Sequence, residues 1–389
     1  MLHYWDKETP QAKKSLSAVI NLTPFTHKFI LNEVQPGRNY EYEVFINRKR
    51  VDLPYPTTFK TQTLWQWRTD PPAFTFATGS CAFVNEAQYD RPKPYGSNYQ
   101  IFTKINDLKP DMMLWLGDNV YLREPDWNTR TGMIHRYTHS RSLPELQPLL
   151  ASTPQYAIWD DHDYGPDNSD ASWVHKEMAW NVFKSFWGNP TYGVNGQKGC
   201  TTQFQFNDAD FFLLDNRYFR SPNRCKTCER SSLGKDQLEW LIGALAASRS
   251  PFKFIAIGGQ VLTTDNHEES AFHDFPEERD ELIRRIEQEG IKGVVFLTGD
   301  KHFTELSAMK NKAGNWMYDL TSSALTSGSF TDAATKTSNE YRVPGTVVAE
   351  NNFVMLNISG PRTARVLTMT AYNAQGTQMW TKVINASEL

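Results

Sequence analysis

Cysteine is scarce in this chain, long apolar runs are missing, and neither sign of charge dominates. Four Cys in 389 residues do not make a disulfide scaffold. Cys225 and Cys228 form one Cys-x-x-Cys, but a closed zinc site needs four ligands and no second pair exists. The pair also lacks the strand-to-helix setting of a thioredoxin-like redox motif. A local structural role is expected, with Cys200 a candidate disulfide partner. No apolar run approaches the roughly 20 residues that a membrane span requires. A net charge of −3 gives no basic field, so binding nucleic acid through its phosphates has no electrostatic support. There is no internal repeat or low-complexity tract. Met1 is followed by charged Asp6, Lys7 and Glu8, without a signal-peptide pattern, as at the start of a processed or truncated chain.

Aromatic residues, by contrast, are plentiful. They make up 13% of the chain and include 12 Trp, which suits a well-filled core or a site with aromatic walls. The length accommodates one large domain, or a large domain and a small one.

Residues 1 to about 70 carry short alternating runs, Ala18 to Leu22, Lys28 to Leu31 and Tyr40 to Ile46, broken by turn signals such as Gln35-Pro36-Gly37. Small antiparallel strands are expected. The run from Leu31 through Tyr42, with Phe59-x-Thr61, looks like the end of a fibronectin-type β-sandwich too short to be complete. Asp70-Pro71-Pro72 reads as a linker into residues 71–389. There, apolar strand-like runs alternate with helical patterns, which implies a layered α/β architecture. Strands are expected at Phe74 to Ala77, Asp111 to Leu116, Tyr156 to Trp159, Asp210 to Leu214, Phe252 to Ile257 and Val294 to Leu297, and β-like runs at Phe353 to Ile358 and Arg365 to Thr370. Helices are expected at Tyr99 to Leu108, Pro144 to Ala151, Trp173 to Trp187, Lys235 to Ala247 and Glu277 to Glu289.

Asp160-Asp161-His162-Asp163 is the most informative stretch. Carboxylates crowded in this way repel one another, and the cluster calls for a cation, most simply a metal. The arrangement recurs. Gly79-Ser80-Cys81, Asp118 with Tyr121, Gly258-Gly259-Gln260 and Asp300-Lys301-His302 each follow a strand, where α/β folds place their ligands.

This order resembles the calcineurin-like metallophosphoesterases. Asp118 and Tyr121 fit the second family motif in its tyrosine form, as in purple acid phosphatases. Asp161-His162-Asp163 fits the third, with Asp161 in place of Asn, and Asp300-Lys301-His302 the last, with Asp300 in place of the first His. Cys81 stands where an Asp-x-His is usual, and Gln260 where a His ligand is usual. With Leu214-Asp215-Asn216-Arg217-Tyr218 and Asp319-Leu320-Thr321-Ser322-Ser323, these departures resemble the PhoD-type alkaline phosphatases from about residue 30 to the end.

The resemblance implies a sandwich of two mixed β-sheets flanked by helices, with a small N-terminal all-β domain over residues 1–70. It also implies an exported protein that hydrolyses phosphomonoesters, and by the same chemistry diesters, through metal-hydroxide attack. Cys81, Tyr121, Asp118 and His302 form an anionic set suited to Fe(3+). Asp161, Asp300 and the Gln260 carbonyl form an oxygen set suited to Ca(2+), and the resemblance implies that Asp118 bridges the two. His162 is then the expected acid for the leaving oxygen. Arg217 and Lys301 are the expected phosphate contacts, ahead of Arg136 and Arg141. Asp160 and Asp163 are expected to cap or orient the loop. His135, His139 and His175 read as surface or core residues. The acidic stretch Asp265 to Glu278, with His267 and His273, reads as a lid or rim that sets selectivity. The alternatives are a phosphodiesterase or phospholipase D-like enzyme acting on lipid or cell-wall polymer, and a non-catalytic metal-stabilised binding protein.

Overall fold

The computed structural model describes residues 1–266 and 269–389. Its first strands, β1 (Leu2–Asp6), β2 (Lys14–Leu16), β3 (Asn39–Ile46), β4 (Lys49–Arg50) and β5 (Thr58–Lys60), form one antiparallel sheet around β3. Tyr4 and Tyr40 lie on one buried face, and Trp5, on the opposite face, is covered by Lys13 at 4.1 Å. The expected strands at Ala18 to Leu22 and Lys28 to Leu31 do not form. Val19, Leu22 and Ile30 are 86%, 80% and 72% exposed, so alternation here has no apolar surface to pack on. Strand β1, which the sequence patterning did not suggest, pairs along the length of β3 instead.

Two further sheets carry the rest of the strands, namely β6 (Phe74–Gly79), β7 (Met112–Leu116), β8 (Gln155–Ile158), β9 (Thr202–Phe206), β10 (Ala209–Leu213), β11 (Phe252–Ala256), β12 (Val294–Thr298), β13 (Glu305–Lys310), β14 (Trp316–Thr321), β15 (Asn352–Ser359), β16 (Val366–Asn373) and β17 (Gln378–Asn385). One sheet has the order β13-β14-β12-β11-β10-β9 and the other β17-β16-β15-β6-β7-β8. Both are mixed. Strands β10, β11, β12 and β14 are parallel, as are β6, β7 and β8, while the remaining neighbours run antiparallel. This is the layered α/β sandwich that the resemblance implied.

Strands β7, β10, β11 and β12 are buried at every position, because each is covered on both faces. Between the sheets, Phe76 meets Phe211 and Phe254 with ring centroids 5.2 and 5.1 Å apart, and Phe204 stacks on Phe211 at 4.9 Å. Outside one sheet, helices Lys235–Ala247 and Pro276–Gln288 bury Leu241, Leu245, Leu282 and Ile286 against Ile255 and Phe296. Outside the other, Phe102 of helix Gln100–Asp107 meets Trp115 of β7 at 6.0 Å.

Helix Arg130–Arg141 was not expected, because its buried face is mostly polar, Arg136 and Ser140 lying beside Met133 and Tyr137. The Cys-x-x-Cys closes on itself as a Cys225–Cys228 disulfide, while Cys200 is a free, buried thiol. No helix among the described residues is long and apolar enough to cross a membrane.

Phe211 lies at the centre of the inter-sheet aromatic cluster. Replacing it with Ala is expected to cost about 3–5 kcal/mol in urea unfolding. A loss below about 1 kcal/mol would show that the two sheets do not depend on that packing.

Candidate metal centre

The parallel strands deliver the polar loops to one place. Strand β6 ends at Cys81, β7 at Asp118 and Tyr121, β8 at Asp160 and Asp161, β10 at Asn216 and Arg217, β11 at Gln260, and β12 at Asp300 and His302. Tight approach of these loops demands particular residues. Gly117 has φ +95°, and a Cβ there would lie 2.6 Å from the Asp160 Cβ. At Gly258 a Cβ would lie 2.4 Å from Asp160 Oδ2. Cys81, Asp118, Asp300 and His302 are themselves left-handed, with φ of 59°, 51°, 68° and 58°. Such backbone is strained by about 1–3 kcal/mol per residue and persists where the surroundings hold it, typically at functional sites.

One ligand set comprises Cys81, Asp118 and His302, whose donor atoms lie within 4.8 Å of one another. The Cys81 Sγ is 3.6 Å from Asp118 Oδ2, and Tyr121 Oη is 3.2 Å from His302 Nε2. The His302 Nδ1 lies 2.5 Å from the Gly328 carbonyl oxygen, to which it donates, leaving the Nε2 lone pair turned toward Tyr121. Burial lowers the His302 pKa and so favours the neutral ring. The Ser323 hydroxyl donates to Cys81 Sγ at 3.2 Å.

Two further sets complete the centre: Asp118 with Asp161 and His162, and Asp160 with Asp161 and Asp300, again within 4.8 Å. Asp118 therefore belongs to both sides. Around the carboxylates are buried oxygens without hydrogen-bond partners: Asp160 Oδ2, Asp161 Oδ1, Asn216 Oδ1 and Gln260 Oε1. Gln260 is held by its other end, donating from Nε2 to Glu305 Oε1 and Thr321 Oγ1, each at 2.8 Å. The Asn216 Nδ2 donates to Asp160 Oδ1 at 3.0 Å. Both amides thus present a carbonyl oxygen with no protein donor opposite, the arrangement that a hard cation satisfies.

The charges point the same way. Burial, then Asp161 and Cys81, raises the Asp118 carboxyl well above its ordinary range. Burial and Asp160 push Asp300 up to about 7. Burial and Asp300 push the Cys81 thiol up to about 12, and burial raises the Tyr121 phenol well above its usual value. Burial also opposes ionisation of Asp161, but His162, Arg217 and the Asn168 amide outweigh it and hold that carboxyl low. Within the protein alone, burial opposes ionisation of Asp118, Asp300, Cys81 and Tyr121; cations bound among these donors would favour it. The residues present fit a pair of metal ions.

His162 lies at the edge of the centre, its side chain 24% exposed and its ring 4.2 Å from that of Tyr121. Its Nε2 is 3.5 Å from Asp167 Oδ1 and 3.9 Å from Asp161 Oδ2. It opens into a cavity of about 690 Å³ that Tyr121 also lines. The Lys301 ammonium makes no hydrogen bond or ion pair among the described residues.

Arg217 sits elsewhere than at a phosphate pocket. Its side chain is fully buried, bonded through Nε to Asp160, at 2.7 Å to Glu269 Oε2 and at 3.3 Å to the Ser169 carbonyl. The guanidinium neutralises the acids behind the ligands. Arg136 is likewise buried, on Glu86 and Asp126, and burial lowers the pKa of Arg141, which stacks on Trp187 at 4.4 Å. Asp163 does orient the loop, accepting from the amides of Asp160 (3.1 Å) and Asn119 (3.1 Å). His135 pairs with Glu86 at 3.0 Å and His139 bonds the Asn85 carbonyl, both outside the centre.

The acidic stretch expected as a rim packs behind Arg217 through Glu269, and no described residue of Asp265–Glu278 lines the cavity. His273 bonds Asp274 at 2.7 Å, and His267 lies outside the described residues. Asn216 is the donor that sequence reasoning passed over. Its signal was its place at the end of β10, within the Leu214 to Tyr218 motif that carries the family resemblance.

Comparison with known proteins is consistent with this geometry. A sequence model of the family described as PhoD-like phosphatase matches residues 76–371. Alkaline phosphatase D of Bacillus subtilis (strain 168) is 22% identical over 347 residues, covering 76% of this chain. The chain spans only 55% of that relative's length. A solved structure of PhoD superposes with a TM-score of 0.71 at 17% identity, covering 92% of this chain and 78% of that one. A purple acid phosphatase from yellow lupin (Lupinus luteus) seeds gives 0.66 at 12% identity, over 99% and 69%. At these identities the two structures speak for the fold.

Replacing Arg217 with Gln is expected to destabilise the protein by about 3–5 kcal/mol, because Asp160 and Glu269 lose a buried partner. An unchanged melting temperature with only a raised KM would instead place Arg217 on substrate. Metal affinity is expected to rise with pH, since Asp300 must lose a proton held up to about 7 and Cys81 one held up to about 12. Titration of the chelated protein with iron and calcium at pH 6 and 8 checks the sign; tighter binding at pH 6 would contradict it.

Proposed function

Because the chain belongs to the PhoD-like phosphatase family, we propose that it is a metal-dependent hydrolase of phosphate esters. The observation that carries this reading is the pair of ligand sets that share Asp118 beside a cavity into which His162 opens. A non-catalytic binding protein would have no use for a titratable group at that edge. We assign Fe(3+) to Cys81, Asp118, Tyr121 and His302, on the anionic character of that donor set. We assign Ca(2+) to Asp118, Asp161, Asp300 and Gln260, extended by Asn216 and Asp160. When bound, the two ions would make a nucleophile from water and neutralise the phosphoryl oxygens.

The protein's own groups do the rest. Lys301, whose ammonium makes no hydrogen bond or ion pair among the described residues, holds a phosphoryl oxygen. His162 gives its proton to the departing alcohol, and Asp167 at 3.5 Å stabilises the protonated ring before the transfer. Arg217 keeps Asp160 and Asp161 in place from behind, and Asp163 fixes the backbone between them. Residues 1–70 are read as a separate accessory domain built on the N-terminal sheet. An extracytoplasmic location is supported by the Cys225–Cys228 disulfide, a bond that persists in oxidising compartments.

Metal-loaded protein is expected to turn over nitrophenyl phosphate; no turnover of any mono- or diester after iron and calcium are supplied would remove the enzyme reading. His162→Ala is expected to lower kcat by about 10²–10⁴ on alkyl esters and far less on nitrophenyl esters, whose leaving group needs no proton. An equal loss on both would take the acid role away from His162.

A further inference from the structure

The cavity beside His162 is walled chiefly by rings. Phe83, Tyr89, Tyr95, Trp127 and Phe330 line it together with Tyr121 of the metal centre. The inner rings are held rigidly. Phe83 meets Tyr95 edge-on at 5.0 Å and Tyr121 at 5.1 Å, and the Arg123 guanidinium lies 3.9 Å from the Phe83 ring. Arg123 is fixed in turn by Asp90 at 2.8 Å and by the Val84 carbonyl at 2.8 Å. Phe330 stacks on the His302 ring at 4.4 Å. Toward the mouth, Tyr89 and Phe330 are 39% and 47% exposed, so their ring faces are accessible to a ligand.

The ionic lining is close to balanced. Asp90 is paired with Arg123, which leaves Glu124 and Asp167 against Arg91 and His162. Between these groups the rings form a wall on which a flat ring stacks. The position matters too, because His162 protonates the alcohol as it leaves, and the alcohol then occupies the space in front of it.

Resting on the hydrolase reading, we propose that the substrates are phosphate esters whose leaving alcohol carries a planar aromatic or heteroaromatic ring. Tyr89, Trp127 and Phe330 set that preference. An aryl ester and a nucleoside ester share this chemistry.

The test uses non-hydrolysable phosphonates, titrated calorimetrically into the metal-loaded protein, so that binding is read apart from turnover. Phenylphosphonate is expected to bind at least roughly fivefold more tightly than ethylphosphonate, with cyclohexylphosphonate between them. The Tyr89→Leu/Phe330→Leu double variant, which retains apolar bulk without the planes, is expected to bring phenyl and cyclohexyl together while keeping the affinity for inorganic phosphate. Adenosine monophosphate against phenyl phosphate as competitors then separates the nucleoside from the simple aryl source. Equal binding of phenyl- and ethylphosphonate, a cyclohexyl affinity matching phenyl, or a preference that survives in the double variant would each overturn the proposal. Failure of the underlying reading looks different: the phosphonates would bind with the expected order, but no ester would be turned over.

Discussion

Asp118, Asp160, Asp161 and Asp163 are buried, and Asp300 half-buried, within one small region, together with the Cys81 thiol and the Tyr121 phenol. Mutual repulsion in a medium that screens poorly is the constraint to which the surrounding structure answers. Protein groups relieve part of it. Arg217 lies against Asp160 and Asp161, the Asp163 carboxylate accepts two backbone amides, and Glu269 with Arg220 extends the neutralisation outward. The carboxyls of Asp118 and Asp300, raised by burial and by one another's neighbours, receive no comparable partner. Together with the unpartnered oxygens of Asn216 and Gln260, they leave a place for positive charge that the chain itself does not fill.

The fold makes that crowding affordable by rigidity. Parallel strands covered on both faces end in short loops that cannot drift apart without opening the inter-sheet core. The left-handed residues at four ligand positions show how closely the loops are forced together. Glycines at 117 and 258 allow Asp160 to sit where any side chain would collide with it. A cation in this setting would bind to ligands already in place, which is the condition for strong metal sites and for electrostatic catalysis.

Much of this was legible before any coordinates. Strands β6, β7, β10, β11 and β12 announce themselves as short, largely apolar runs, and the polar clusters that follow them become one centre once the strands lie parallel. What pattern could not give was direction. Arg217 looked like a phosphate ligand because free arginines often are, yet its side chain turns inward to acids 57 and 52 positions away. Asp160 was read as a cap and Asn216 was given no role, because which oxygen of an amide or carboxylate is left unpaired depends on contacts across loops. The aromatic cavity drew on residues from widely separated segments with no periodicity to link them, and only the 12 Trp and 13% aromatic content hinted at such walls. In the N-terminal segment, alternation without a covering surface produced no strand.

The central claim is that two cations, sharing Asp118, occupy the centre formed by these loops. Crystals of protein loaded with iron and calcium, measured with anomalous scattering on either side of the iron edge, test it directly. The account predicts an iron peak bounded by Cys81, Asp118, Tyr121 and His302, and a second, non-iron peak bounded by Asp118, Asp161 and Asp300. Absence of density between these side chains, or iron bound elsewhere with Cys81 left as a free thiol, would contradict it.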